Sequence, residues 1–265
     1  MKKAILLLGL VLISCSKADN GDRDPDPIDE TGNPPSSTVC INSNDLTSVQ
    51  IGNQIWTDKN IDIKTYCDGT VIPQVESTEW YGLTTGAWTY AKRCWDNDFY
   101  PELSETEIEQ YGILYNWYAI VGIHDNDPNT PNKKFAPDGW RVPDVDDFEI
   151  LFSNSDAPSL RQTGVITSNE RSGLWYGEPV VDPFIEGTNS TGFSAVPAGV
   201  RIGEGNDCGT GHGNIGIVAF FWTSSELNSN PDRAINSVIS SLEGSELDVN
   251  DSFKRVGMSV RLIKN

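Results

Sequence analysis

Histidine is nearly missing from this chain: His124 and His212 are the two in 265 residues. Both lie in stretches that read as loops, and neither has a Ser or Cys motif nearby of the kind a triad needs. No HExxH pair, no GxSxG elbow and no phosphate-binding glycine loop with its lysine occurs. Carboxylates are so numerous that some pair will stand at glycosidase separation by chance, so counting pairs carries no weight. The expectation is therefore a protein that is not an enzyme. Basic residues are also scarce, with 19 Lys and Arg against 38 Asp and Glu, a net charge of −19. A surface of that sign repels phosphate backbones and anionic headgroups, which excludes nucleic acid as a partner and leaves the membrane reachable through an anchor only. The same charge would attract Ca²⁺ or a cationic surface, and it keeps the protein soluble.

Cysteine is sparse but patterned. Five are present, and CxxC is not among their spacings, which argues against a zinc site. Cys15 closes the N-terminal segment; Cys40, Cys67, Cys94 and Cys208 remain. An even number in an exported chain suggests two disulfides, with three connectivities open.

Export is indicated by the first residues. Met1-Lys2-Lys3 is a basic start, and Ala4 to Ile13 is an apolar run too short to span a bilayer. The run ends in Leu12-Ile13-Ser14-Cys15, which resembles the bacterial lipobox. That resemblance implies a signal peptide over 1–15, cleavage before Cys15 and acylation of its sulfur and amino group. Several acyl chains anchor far more firmly than one. Ser16 after the cysteine resembles the signal for sorting to the outer membrane, and the acidic residues beyond it resemble the surface-export signals of Bacteroidetes lipoproteins. Residues 16–37 hold almost nothing apolar and read as a disordered acidic tether. Residues 38–265 read as one folded domain.

Within that domain aromatics supply the burial that a modest 37 % apolar content does not. The stretch Val49 to Trp56, VQIGNQIW, predicts a tight hairpin about Gly52-Asn53. Glu79 to Leu83 predicts one helical turn, and Gly86 a close backbone approach. Ser104 is a cap for a short helix to Gln110, and Tyr111 to Ile123 reads as a core helix. Asp144 caps another helix, whose Val145, Phe148, Leu151 and Phe152 share a face. The tail predicts strands over Ile215 to Thr223, Asn236 to Leu242, Leu247 to Val249 and Met258 to Ile263. In the last of these Met258, Val260 and Leu262 face one way and Ser259 and Arg261 the other.

Taken in order, QIWTDKNI, YCDGTVIPQV, EWYGLTTGAWTY, YGILYNWYAI, APDGWRVPDVDDFEIL, GTNSTGFSAVPAGVR, FFWTSSE and GMSVRLI resemble the Fibrobacter succinogenes major paralogous domain. The resemblance runs from about Val49 to Lys264. It implies an α+β fold of the C-type-lectin-like, sulfatase-modifying-factor-like kind, with short strands, a few helices and long irregular loops. It also implies a bacterial lipoprotein, with surface attachment or glycan contact as the suspected role. Ala198 and Val200 depart from the family's usual Gly and Tyr, and the acidic loops 96–110 and 124–134 are longer than usual. The sulfatase-modifying relatives use C-terminal cysteines; residues 209–265 have none, which disfavours that enzymatic role.

Two groups of residues are candidates for binding. Asp125, Asp127 and Asn129 are spaced like the first oxygen ligands of a Ca²⁺ loop, although Thr130 and Ala136 exclude an EF-hand. Trp95 with Phe99 and Tyr100, and Trp175 with Tyr176, stand in polar stretches where an aromatic face could stack on a sugar ring. Trp56, Trp80, Trp88, Trp117, Trp140 and Trp222 have apolar neighbours and are expected in the core. The expected function is ligand binding at the cell surface without catalysis, with a glycan favoured over a protein partner.

Overall fold

The computed structural model describes residues 40–93, 103–167, 169–202, 211–242 and 247–265, all within the unit Thr38–Asn265. Short elements predominate, as the Gly and Pro content requires. In chain order they are β1 (Ser48–Ile51), β2 (Gln54–Thr57), β3 (Trp88–Tyr90), α1 (Glu105–Tyr111), β4 (Ile113–Tyr115), α2 (Trp117–Ile120), β5 (Trp140–Arg141) and α3 (Val145–Ser153). Then come α4 (Ala157–Leu160), β6 (Val165–Ile166), β7 (Trp175–Tyr176), β8 (Val200–Arg201), β9 (His212–Gly213), β10 (Val218–Glu226), β11 (Arg233–Ser240), β12 (Leu247–Phe253) and β13 (Ile263–Lys264). This is an α+β architecture. One sheet has the order β1-β2-β13-β5, which brings the last strand against the first hairpin; a second is the antiparallel meander β10-β11-β12.

Local chemistry explains most of these elements. The β1–β2 hairpin turns at Gly52, whose φ of +58° belongs to the region a tight turn requires. Ser104 and Asp144 each close a capping box, with Glu107 and Asp147, so two helix starts have their free N–H groups satisfied. Gly86 lies against Ala119: a Cβ there would stand 2.8 Å from Ala119 Cα and would also strike the Tyr66 hydroxyl. The expected core tryptophans are all buried, Trp56 and Trp222 completely.

Three expectations need correction. Tyr111 to Ile123 is not a continuous helix. Gly112, at φ +76°, ends α1; Ile113–Tyr115 pairs with β3; and Asn116 caps a single turn of helix. Most of the apolar run is buried, but periodicity does not separate a buried strand from a buried helix. The strand expected from Ile215 begins only at Val218 and extends to Glu226. Finally, of Met258 to Ile263 only Ile263 lies in a strand, β13, and the segment does not alternate between core and solvent. Ser259 and Arg261 are as fully buried as Val260 and Leu262.

Arg261 is the more consequential of those two. Its Nη1 donates to the carbonyls of Thr57 (2.8 Å) and Phe193 (2.7 Å), its Nη2 to that of Ser194 (2.9 Å) and its Nε to Asn60 Oδ1 (2.8 Å). The guanidinium also lies 4.6 Å from the Phe193 ring centre. Burial pushes its pKa down to about 9, so it remains protonated at neutral pH. One cation thus ties the closing segment to the first hairpin and to the Phe193-Ser194 turn. Arg201 does the same elsewhere: its Nη atoms donate to the carbonyls of Val75, Glu76 and Ser77, and its carbon lies 4.6 Å from the Trp80 ring centre.

His212, expected in a loop, is on β9 opposite Arg201 and only 2 % exposed. Its Nε2 is 3.0 Å from the Tyr90 carbonyl, and burial together with the Arg201 charge lowers its pKa to about 4. An unfolded histidine takes up a proton near pH 6.5, which the folded one refuses until about pH 4. Stability contributed by the neutral ring is therefore complete above about pH 6.5 and falls as the pH drops towards 4, by on the order of 3 kcal/mol. Urea midpoints of wild type and His212→Gln measured from pH 7 to pH 4 should show the variant losing less stability by that amount. Parallel curves would contradict the assignment.

Candidate functional site

A loop held shut at its neck forms the candidate site. Gly122, at φ +81°, lets the chain turn back so that Lys133 N donates to Gly122 O at 2.9 Å. A Cβ at Gly122 would collide with the Lys133 backbone, so no other residue fits this neck. Gly86 N donates to Ile123 O at 2.7 Å, which fastens the loop to the segment before β3. Compact loops closed by their own ends and held on a rigid scaffold are common carriers of function.

Inside the neck, the Asp and Asn side chains shape the backbone. Asp125 Oδ1 accepts from Asp127 N at 3.0 Å; Asp127 Oδ1 accepts from both Asn129 N and Asn129 Nδ2 at 2.9 Å. The Asn129 bonds hold the Asp127 carboxyl below its usual pKa. These are consecutive Asx turns. Thr84 Oγ1 donates to Asn126 Oδ1 at 2.7 Å, and His124 Nε2 is 3.2 Å from Asp125 Oδ2. Between them lies an open hollow of about 350 Å³, lined by Thr84, Ile123, His124, Asn126, Pro128 and Asn132 among others. Its walls offer hydroxyl, amide, imidazole and carboxylate groups beside two apolar side chains. Larger hollows of about 460 and 530 Å³ occur by Pro158 and Pro183 and by Gln110 and Arg171. The first is flanked mainly by apolar side chains, and in the second Arg171 is already bonded to Glu107.

The residues singled out in the sequence separate here. Asp125 and Asp127 line the hollow, and Asn129 stays in the same loop as a donor to Asp127. Their side-chain bonds run to the loop itself, and no three His, Cys, Asp or Glu among the described residues are grouped to hold a metal ion.

Trp175 and Tyr176 are a correction. Both form β7, paired with β6, and are 1 % and 5 % exposed. Trp175 Nε1 donates to Ala195 O at 3.2 Å, with Arg161 over its ring; Tyr176 is packed so closely that a side chain at Gly216 would strike its ring. Neither ring offers a face to a sugar. A polar neighbourhood in sequence did not keep them at the surface, because β6 and the 193–199 segment cover them from a distance. Trp95, Phe99 and Tyr100 lie outside the described residues, as do Cys15, Cys94 and Cys208. Cys40 and Cys67 form a disulfide, one of the pairings left open by the sequence. The exposed aromatics among the described residues are instead Tyr81 and Phe253, which the sequence reading passed over. Phe253 had a signal in its polar neighbours Ser252 and Lys254; Tyr81, between Trp80 and Gly82, had none.

The same segments that build this scaffold are those a known family shares. Its profile, the Fibrobacter succinogenes major domain, matches residues 49–264. The chain belongs to this family. No curated protein and no solved structure matches the chain. Arg201, Arg261, Trp80 and Trp222 all fall inside the matched residues of the Fibrobacter succinogenes major domain, and so does the whole loop from Gly122 to Lys133.

Proposed function

We propose that this Fibrobacter succinogenes major domain binds a glycan, and binds it without converting it, in the hollow between Thr84 and the 122–133 loop. What supports the reading is the lining. Short donors and acceptors of several kinds stand on a closed loop around an open space of about 350 Å³, with Ile123 and Pro128 beside them. A sugar needs that mixture, with fixed partners for hydroxyls of both hydrogen-bonding senses and apolar contact for its C–H face. A standard protein interface would instead bury about 800 Å² of this surface, far more than the hollow offers.

In this proposal the finer fold is the C-type-lectin-like, sulfatase-modifying-factor-like one. Cys15 carries the acyl anchor, residues 16–37 form the tether, and the domain is displayed outside the outer membrane. Among the described residues no helix is long and apolar enough to cross a membrane. Calcium enters as one arm of the test.

That test is a glycan and polysaccharide array probed with the protein, with and without calcium, alongside an Asn126→Ala, Thr130→Ala double variant. The expected result is binding to a defined set of glycans, at least tenfold weaker in the variant and indifferent to calcium. Equal binding by the variant would remove the hollow as the site. Retention of a protein partner with no glycan signal would favour the adhesion reading.

A further inference from the structure

In a chain with 38 acidic and 19 basic residues, a surface cation is expected to find a carboxylate. Its neighbours do: Arg233 is bonded to Asp251, and Lys254 Nζ is 2.6 Å from Glu226 Oε2. Arg255 makes no ion pair with any described residue. Its guanidinium carbon is instead held 4.5 Å from the Tyr81 ring centre and 4.3 Å from that of Phe253. Those two rings are 46 % and 39 % exposed. The Nη2 makes one long bond to the Tyr81 hydroxyl at 3.4 Å, and Nε is buried without a partner.

The sandwich is fixed from below. Trp80, itself buried, donates from Nε1 to Arg255 O at 2.7 Å, and Val256 N donates to Phe253 O at 2.8 Å. The pKa of half-buried Tyr118 is raised, first by its burial and then by Asp232, while Arg255 acts to lower it. Its cationic neighbours Arg233 and Lys254 are each already closed in an ion pair. Stacking between rings leaves a guanidinium its charge while removing most of its rotamer freedom, so its planar fork is set in advance for an external oxyanion. Tyr81 precedes Thr84, a lining residue of the hollow, by three positions, at most about 11 Å along the chain.

We propose that Arg255, flanked by Tyr81 and Phe253, receives the carboxylate of a uronic-acid residue: the net negative charge of the chain disfavours polyanions at large, but this locally unpaired guanidinium fixes one carboxylate, so that the ligand of this domain is a glycan that carries uronic acid. The proposal rests on the glycan reading of the hollow and names the class of glycan. One sugar occupies the space lined by Thr84 and Asn126; another lays its C–H face on the exposed Tyr81 ring and its carboxylate on the guanidinium fork, since Phe253 has Arg233 as well as Arg255 over its ring. Planar bidentate pairing suits a carboxylate, and the exposed Tyr81 ring suits a pyranose face better than an acidic side chain on a peptide.

The probes are polygalacturonate, alginate and hyaluronan, each beside its methyl ester, with sulfated dextran and polyglutamate as further arms. Wild type should bind at least one of the acidic polymers tenfold or more tightly than its ester. Arg255→Gln should abolish that preference, and Tyr81→Ala should weaken both forms. Arg255→Lys keeps the charge without the fork and should be intermediate, which guards against a fold defect in the glutamine variant. Equal affinity for acid and ester, or an unaffected Arg255→Gln, would overturn the proposal. If the loop double variant still abolished that binding, the glycan reading would stand without it. Tighter binding of sulfated dextran or polyglutamate would overturn it in favour of a sulfate or an acidic peptide. Failure of every glycan to bind would end both readings.

Discussion

Arg261→Met is expected to destabilise the domain by about 4 kcal/mol, the largest single-residue effect among the substitutions considered. Methionine occupies part of the volume and can still lie against Phe193, but it donates nothing. The carbonyls of Thr57, Phe193 and Ser194 and the Asn60 side chain then lose their donor, those of Thr57 and Phe193 in a place water does not reach. Each buried acceptor left unpaired costs about 1–3 kcal/mol, partly relieved by local shifts. For a domain whose whole stability is about 5–15 kcal/mol, that moves the urea midpoint a long way. Arg261→Lys should recover only a fraction, since one ammonium cannot reach acceptors spread around a planar fork. A midpoint within 1 kcal/mol of wild type would show that the guanidinium is not what joins the closing segment to the hairpin.

Removing the disulfide comes next. Cys40 and Cys67 are 27 residues apart, and closing a loop of that length in the unfolded chain is worth about 3.5 kcal/mol in the chain-entropy account. The Cys40→Ser, Cys67→Ser double variant should therefore melt roughly 10 °C lower, at 2–4 °C per kcal/mol for a domain of this size. Binding should suffer as well. Cys67 N donates to Lys134 O at 2.9 Å, next to the Lys133 that closes the loop neck. Loosening Cys67 loosens the neck. A double variant with wild-type melting, or a reductant without effect on wild type, would show that the crosslink adds nothing once the domain is folded.

Much of the scaffold was legible because short-range chemistry specifies it. Gly52-Asn53 announces the hairpin, Ser104 and Asp144 announce helix starts, and Gly86 announces a close contact; each depends on a few neighbouring residues. What was hidden depends on partners far along the chain. Arg261 sits in a pattern of alternating polarity, and only the approach of Thr57 and Phe193 turns its polar face into an interior one. Trp175 and Tyr176 look like loop aromatics until the 193–199 segment and Ile215–Gly216 close over them. The candidate site was half visible: the Asx-rich loop stood out, yet Asp125, Asp127 and Asn129 use their oxygens to build turns. Thr84, which completes the hollow, carries no signal of its own. Arg255 was invisible for the opposite reason, since an arginine without an acid is a fact about what surrounds it.

The account rests on the loop hollow holding a sugar, and a two-dimensional NMR titration of the labelled protein with the strongest array glycan tests that most directly. It predicts shifts concentrated at Thr84, Ile123, Asn126, Thr130 and Asn132, with the saccharide unchanged after prolonged incubation. Shifts confined to the hollow by Gln110 and Arg171, or progressive shortening of the saccharide, would contradict it.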